Sequence, residues 1–243
     1  YKTAGRLLEE YFAGRSEKYS CEFRMKHKNG SYVWVLGQGK IFQRNEKGEP
    51  VRMCGTHLDT TNRKNQEEEL KKYMLAVEGA SDHIVITDPE GIVIYANKAV
   101  ERITGYTPEE TIGQKAGSIK LWGGIMNISV YQELWKTIKV EKKSYNGVFD
   151  NVRKDGQAYK AAATVTPILD KTGQVIYFLG IERDITQEIE NNRHAQRLAS
   201  IVENTTDAIS GEDLSAFVTS WNKGAETLYG YTAKEILGRP IKA

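Results

Sequence analysis

The chain repeats itself. "IYANKAVERITGYTPEETIG", ending at Gly113, returns as "TSWNKGAETLYGYTAKEILG", ending at Gly238. Asn97 and Asn222 are 125 residues apart, and the same offset joins Gly105 to Gly230, Tyr106 to Tyr231, Glu110 to Glu235 and Asp82 to Asp207. It also lays "GTHLDTTNRK" (55–64) on "GIERDITQEI" (180–189), so that Asp59 falls on Asp184. The turn in "KHKNGSY" around Gly30 returns around Gly156 with one residue of slippage. Many matches on one offset are the signature of a tandem array. The unit begins near Val77 and again near Val202, so the 243-residue chain is out of phase with it. Residues 1–62 are expected to be the back half of one copy, 77–187 a complete copy, and 201–243 the front half of a third. Helical linkers are expected at 63–76 and 188–200.

Within the complete copy, "HIVITDPEGIVIYAN" is two β-rich runs around Asp88-Pro-Glu-Gly91, which predicts a hairpin. "NKAVERITGYT" has helical apolar spacing and ends at Gly105. Thr107, Pro108 and Glu110 predict a second helix start, with Thr107 as N-cap. An irregular stretch follows over 114–129. In "VYQELWKTIKVEK" the residues Tyr131, Leu134, Trp135 and Ile138 share one helical face. Three strands complete the copy, separated by turns at 154–156 and 170–173. Two strands, a helical middle and three strands predict an α+β fold, a five-stranded antiparallel sheet with helices on one face.

Composition removes several function classes. The net charge is only +2, with Lys and Glu interspersed, which does not suit a nucleic-acid surface. No stretch has the roughly 18 apolar residues of a membrane span. Cys21 and Cys54 lack CxxC spacing, and the four histidines form no ligand pattern, so no metal site is expected. The two cysteines are expected on strands separated by a third, beyond disulfide reach. There is no P-loop and no GxSxG, so the chain is read as regulatory, not as an enzyme. His194 lacks the context of a phospho-accepting histidine.

The order of elements, "N-x-A…GY-x-x-E-E-x-x-G", the "RKDG" hairpin and the "DIT" before a helix together resemble PAS domains with a PAC tail. The resemblance runs over essentially the whole chain. It implies a signal-transduction sensor and relay module, with an output domain outside the chain, as in histidine kinases of two-component systems or cyclic-dinucleotide enzymes. A cytoplasmic location and a homodimer through linker helices and PAS domains are expected on the same ground. The alternative is a ligand-free dimerisation and relay scaffold.

PAS domains sense through a cavity between sheet and helical middle. The segment "YQELW…NGVFDNVRKDG" resembles those PAS domains that hold FAD, in which a helix Trp flanks the ring system and a strand Asn bonds its polar edge. Trp135 and Asn151 match those places. The sequence departs at Gly117-Ser118, where an acidic residue is expected, and by one inserted residue between Trp and Asn. FAD, another small organic ligand and an empty cavity all stay open. Haem is not expected, because no His or Cys lies between Asp88 and Asp184 to serve as axial ligand. The same lack removes a flavin–cysteine adduct.

Asp59 and Asp184 each end a last strand and start a connecting helix. Asp184 with Gln187 predicts a capping box. From each Asp to the start of the next unit the spacing is the same, 23 residues to Asp82 and to Asp207. Asp59, Asp184 and Thr186 are therefore expected to transmit signal as a fixed joint. Leu70, Met74 and Val77 predict a stripe for a partner helix; in the second connector Ile185, Ile189, Leu198, Ile201 and Val202 are patchier. A plain solvated linker is the alternative.

Overall fold

The computed structural model describes residues 2–118, 120–123 and 125–241. The chain divides into two compact units, with the boundary between Gly79 and Ala80.

The first unit contains α1 (Lys2–Phe12), β1 (Tyr19–Lys26), β2 (Tyr32–Arg44), β3 (Pro50–Asp59) and α2 (Thr61–Glu78). Its three strands are antiparallel in the order β1-β2-β3. The β1–β2 turn closes at Gly30, whose φ of 91° is a left-handed value that glycine adopts freely. Tyr11 of α1 is buried, and its hydroxyl accepts from the Ile41 amide at 2.9 Å. Cys21 on β1 and Cys54 on β3 are both free, with β2 between them, as the strand order predicted.

The second unit opens with β4 (His83–Thr87), β5 (Val93–Ala96), α3 (Ala99–Thr104) and α4 (Pro108–Thr111). Next comes α5 (Ile128–Trp135), which continues as one π-helical turn over Lys136–Val140. The strands β6 (Tyr145–Val152), β7 (Ala158–Leu169) and β8 (Val175–Asp184) follow, then α6 (Thr186–Asn204). The five strands form one antiparallel sheet in the order β5-β4-β8-β7-β6. This is the expected α+β sheet. The side chains of Val85, Val93, Val100, Ile103, Trp122 and Tyr159 meet in its core, between hairpin, α3 and sheet. Burying a Val or Ile of this kind stabilises the fold by about 1.5–3 kcal/mol. Beyond α6 lie β9 (Ser210–Glu212), β10 (Val218–Trp221), α7 (Lys223–Tyr229) and α8 (Ala233–Ile236).

The sequence repeat is a repeat of bonds. Asn97 Oδ1 accepts from the Ile84 amide at 2.9 Å and its Nδ2 donates to the Asp82 carbonyl at 3.0 Å. Asn222 repeats both bonds, with Ile209 at 2.8 Å and Asp207 at 3.0 Å. Asp88 and Asp213 each hold their hairpin turn by accepting two backbone amides. Thr107 with Glu110 forms the helix start expected from the sequence, as a capping box, and Thr232 with Glu235 repeats it.

One expected cap is not formed. Gln187 does not turn back on the start of α6; its Nε2 donates forward to Asn191 Oδ1 at 2.9 Å. The Asp184 carboxylate is already engaged, by the Thr186 amide at 2.9 Å and by the Arg153 guanidinium. Asp184 thus closes a two-residue turn ahead of the helix and is not its N-cap residue.

Candidate functional site

Strand side chains alternate between the two faces of a sheet. In this sheet the alternation aims one row per strand at the helical layer. On β4 the row is His83, Val85 and Thr87, all buried. On β8 it is Phe178, Gly180 and Glu182, because the register sets His83 opposite Glu182, Val85 opposite Gly180 and Thr87 opposite Phe178. On β6 it is Phe149 and Asn151, both buried. Tyr131, Leu134, Trp135 and Ile138 come down over these rows from α5 and the π turn. A cavity of about 270 Å³ lies between, with mostly apolar walls.

Trp135 sits at the junction of α-helix and π turn, a kind of irregularity that recurs at functional sites. Its ring meets Phe178 edge to face at 5.8 Å. Gly91 lets it approach: a Cβ there would lie 3.0 Å from the indole. The ammonium groups of Lys115 and Lys139 each lie 5.8 Å from the Trp135 ring, within cation–π range.

The polar groups collect at one place on the sheet. Asn151 Nδ2 donates to Glu182 Oε2 at 3.1 Å and to the Tyr159 hydroxyl at 3.3 Å. His83 is 1% exposed and packs edge to face on Trp122 at 4.6 Å. Its Nδ1 lies 3.9 Å from Glu182 Oε2, and neither ring nitrogen has a hydrogen-bond partner among the described residues. Burial lowers the His83 pKa to about 3, so the ring is neutral near pH 7. Burial raises Glu182 to about 7, against the opposing hydrogen bonds from Asn151 and Trp122. It also raises Tyr159, which stays a phenol.

One strand that lines the cavity leads straight into a helix. Two residues beyond Glu182, Asp184 takes the Thr186 amide and the Arg153 guanidinium. Thr186 Oγ1 in turn accepts from the Lys160 amide at 2.9 Å, and the Lys160 carbonyl accepts from Ile185 at 2.9 Å. Burial pushes the Asp184 carboxyl up, but the bonds from Thr186 and Arg153 outweigh it and hold the group below its usual range. The first unit builds the same joint. Asp59 accepts from the Thr61 amide at 2.9 Å, Thr61 Oγ1 from Trp34 at 2.9 Å, and the Trp34 carbonyl from Thr60 at 2.8 Å. Asp59 is lowered as well, by its bonds from Thr61.

Three family models match the chain: a PAS domain over residues 81–187, and a PAS fold over 4–57 and over 196–243. The chain belongs to the PAS family. Among curated proteins it is similar to a nitrogen fixation regulatory protein of Klebsiella oxytoca, 29% identical over 56% of this chain and 28% of that one. It is 24% identical to hybrid signal transduction histidine kinase L of Dictyostelium discoideum, over 56% of this chain and 8% of that one. It is 34% identical to a blue-light photoreceptor of Listeria innocua, over 43% of this chain and 41% of that one. The chain thus spans less than half the length of each.

In the PAS domain matched over 81–187, Trp135 and Asn151 line one cavity, so the structure brings the two sequence candidates together. Gly117 and Ser118, where an acidic residue was expected, line it too. An acid reaches the cavity from elsewhere, Glu182 of β8. His83 and Glu182 were missed because neither belongs to a motif. The period-two row ending at Asp184 held the signal, for it places Glu182 beside Gly180 and Phe178. Among the described residues no group of His, Cys, Asp and Glu is arranged to hold a metal. No described helix is long and apolar enough to cross a membrane.

Proposed function

We propose that this chain is the sensing and relay region of a larger signalling protein, and that the PAS domain at 77–187 senses by binding a small, largely apolar organic molecule in its cavity. A sensor role in signal transduction is what family membership and the regulatory relatives support. The observation that carries the mechanism is the continuity of β8. Glu182 faces the cavity, and two residues on, Asp184 fixes the start of α6. An occupant that shifts the Asn151–Glu182 bond therefore pulls on the strand that sets the direction of the outgoing helix. The output domain, a kinase or a cyclic-dinucleotide enzyme, lies outside the chain, and the chain itself is regulatory. The exposed Leu70, Tyr73 and Met74 of α2, and Leu198 and Ile201 of α6, are suited to helix pairing in a homodimer.

A second reading is favoured by the blue-light photoreceptor among the relatives: the occupant is a flavin. The residues fit it. Aromatic walls with a hydrogen-bonding set of Asn151, Glu182 and His83 suit a flat ring with one polar edge. Trp135 would flank the ring and Asn151 would bond its edge. A bound flavin would supply redox or light sensitivity. None of the residues lining the cavity is Cys, so an adduct to the chain is not part of this reading.

The absorption spectrum of the purified protein tests both. Bands near 370 and 450 nm, lost on Asn151→Ala and Trp135→Ala, support flavin. A colourless protein that binds apolar probes in the cavity supports the first reading. A colourless protein that binds none leaves the relay scaffold.

A further inference from the structure

We infer that His83 and Glu182 form a hydrogen-bond socket for a single hydroxyl group, and that the cavity takes an uncharged aromatic alcohol of the phenol class. This deepens the small-molecule reading above and rests on it.

The first observation is His83. It is 1% exposed and lines the cavity, yet neither nitrogen has a hydrogen-bond partner among the described residues. A buried polar group without a partner costs about 1–3 kcal/mol, so the site is built to be completed by something. The second is the spacing to Glu182. His83 and Glu182 face each other across β4 and β8, with Nδ1 and Oε2 3.9 Å apart. That is too far for a bond between them. One oxygen placed about 2.8 Å from each bonds to both, the two bonds meeting at nearly a right angle, and gives Nδ1 the partner it lacks. A hydroxyl is suited to this place because it accepts from an imidazole N–H while donating to a carboxyl oxygen.

The walls define the rest of the ligand. Gly180 lies two residues along β8, about 7 Å from Glu182. A Cβ on it would meet only the Val85 carbonyl, at 3.8 Å, so the space over it is open. A six-membered ring attached to the hydroxyl fits that space, with Trp122 and Phe149 among its walls. Larger ring systems extend toward Trp135 and Phe178. Charge is selected against. His83 is neutral, and a carboxylate ligand would meet Glu182 with no cation at the socket. The lysines, Lys115 and Lys139, are at the Trp135 ring.

Calorimetric titration of the chain with phenol, toluene and benzylamine tests the assignment. Phenol and toluene differ only in hydroxyl against methyl. Phenol should bind at least about tenfold more tightly than toluene. His83→Leu and Glu182→Leu should erase that preference while toluene still binds, which also reports that the cavity is intact. His83→Gln, which can both donate and accept, should restore most of it. Equal binding of phenol and toluene by the unmodified chain overturns the socket and leaves the cavity reading standing, with an ordered water completing His83. Tightest binding of benzylamine overturns the uncharged class. Purification with flavin bound puts another molecule in the cavity and overturns the phenol class. Binding of no probe ends the small-molecule reading itself.

Discussion

Asn151 and Glu182 touch although their strands are not neighbours. β7 runs between β6 and β8, yet Asn151 Nδ2 reaches Glu182 Oε2 at 3.1 Å. Two residues of β7 beneath this contact, Ala161 and Ala163, are small. Asn151 pairs with Tyr159 and Glu182 with Ala163, and Ala161 lies between them, fully buried. Two alanines in a row that faces the core leave a trough in which the polar groups meet.

Ala161→Leu should fill that trough. Overpacking a close-packed core costs about 1–3 kcal/mol. Urea denaturation should show a loss in that range, and the Asn151–Glu182 contact should break. Unchanged stability would mean that the trough is not tightly packed.

Glu182 should make stability depend on pH in a definite direction. Its folded pKa is about 7, against an ordinary value of 4.5. The folded state therefore binds this proton more tightly than the unfolded state. The contribution is complete below about pH 4.5 and is lost as pH rises through 7, amounting to on the order of 3 kcal/mol. His83 acts oppositely, because its folded pKa is depressed to about 3. Its contribution is complete above about pH 6.5 and is lost as pH falls. Comparing Glu182→Gln with the unmodified chain cancels the His83 part. The variant's relative stability should rise by a few kcal/mol between pH 4.5 and 8, read from urea midpoints by tryptophan fluorescence. A constant difference would place Glu182 in a solvated site.

Asn97 ties the β4 end to the start of α3 by two bonds. Asn97→Ala leaves the Ile84 amide and the Asp82 carbonyl without it, a loss of about 1–3 kcal/mol. Asn97→Asp keeps the acceptor and should recover part of this. If both variants melt alike, the acceptor bond to Ile84 contributes little.

Asp184→Ala should loosen the helix start more than Asp59→Ala does. Asp184 loses both the Thr186 amide and Arg153, whereas Asp59 holds the Thr61 amide and, among the described residues, has no arginine on it. Amide exchange over Thr186–Ile189 should quicken by roughly tenfold, the equivalent of about 1.4 kcal/mol. A larger effect at Thr61–Lys64 from Asp59→Ala would reverse that ranking.

Much of this was legible because the repeat supplied each signal twice. The hairpins, the Gly105 cap, the Thr107–Glu110 box and the strand order separating Cys21 from Cys54 all follow from local chemistry. The α5 face was legible as well, since its apolar residues recur at helical spacing. The Asp184–Gln187 box was not, because the carboxylate closes a turn on the Thr186 amide, as Asp59 does on Thr61, and also takes Arg153, 31 residues away in the chain. The π turn after Trp135 has no sequence mark. His83 and Glu182 acquire meaning only through the β4–β8 register, which joins residues far apart in the chain. Tertiary pairing decides such sites, and single-residue patterns do not carry it.

Occupancy of the cavity should be felt at the start of α6. Hydrogen exchange over Thr186–Ile189, measured with and without saturating phenol, tests it most directly. Occupancy should change exchange there in the unmodified chain, and Asp184→Ala should abolish the change while phenol still binds. Binding with no change at those amides would contradict it.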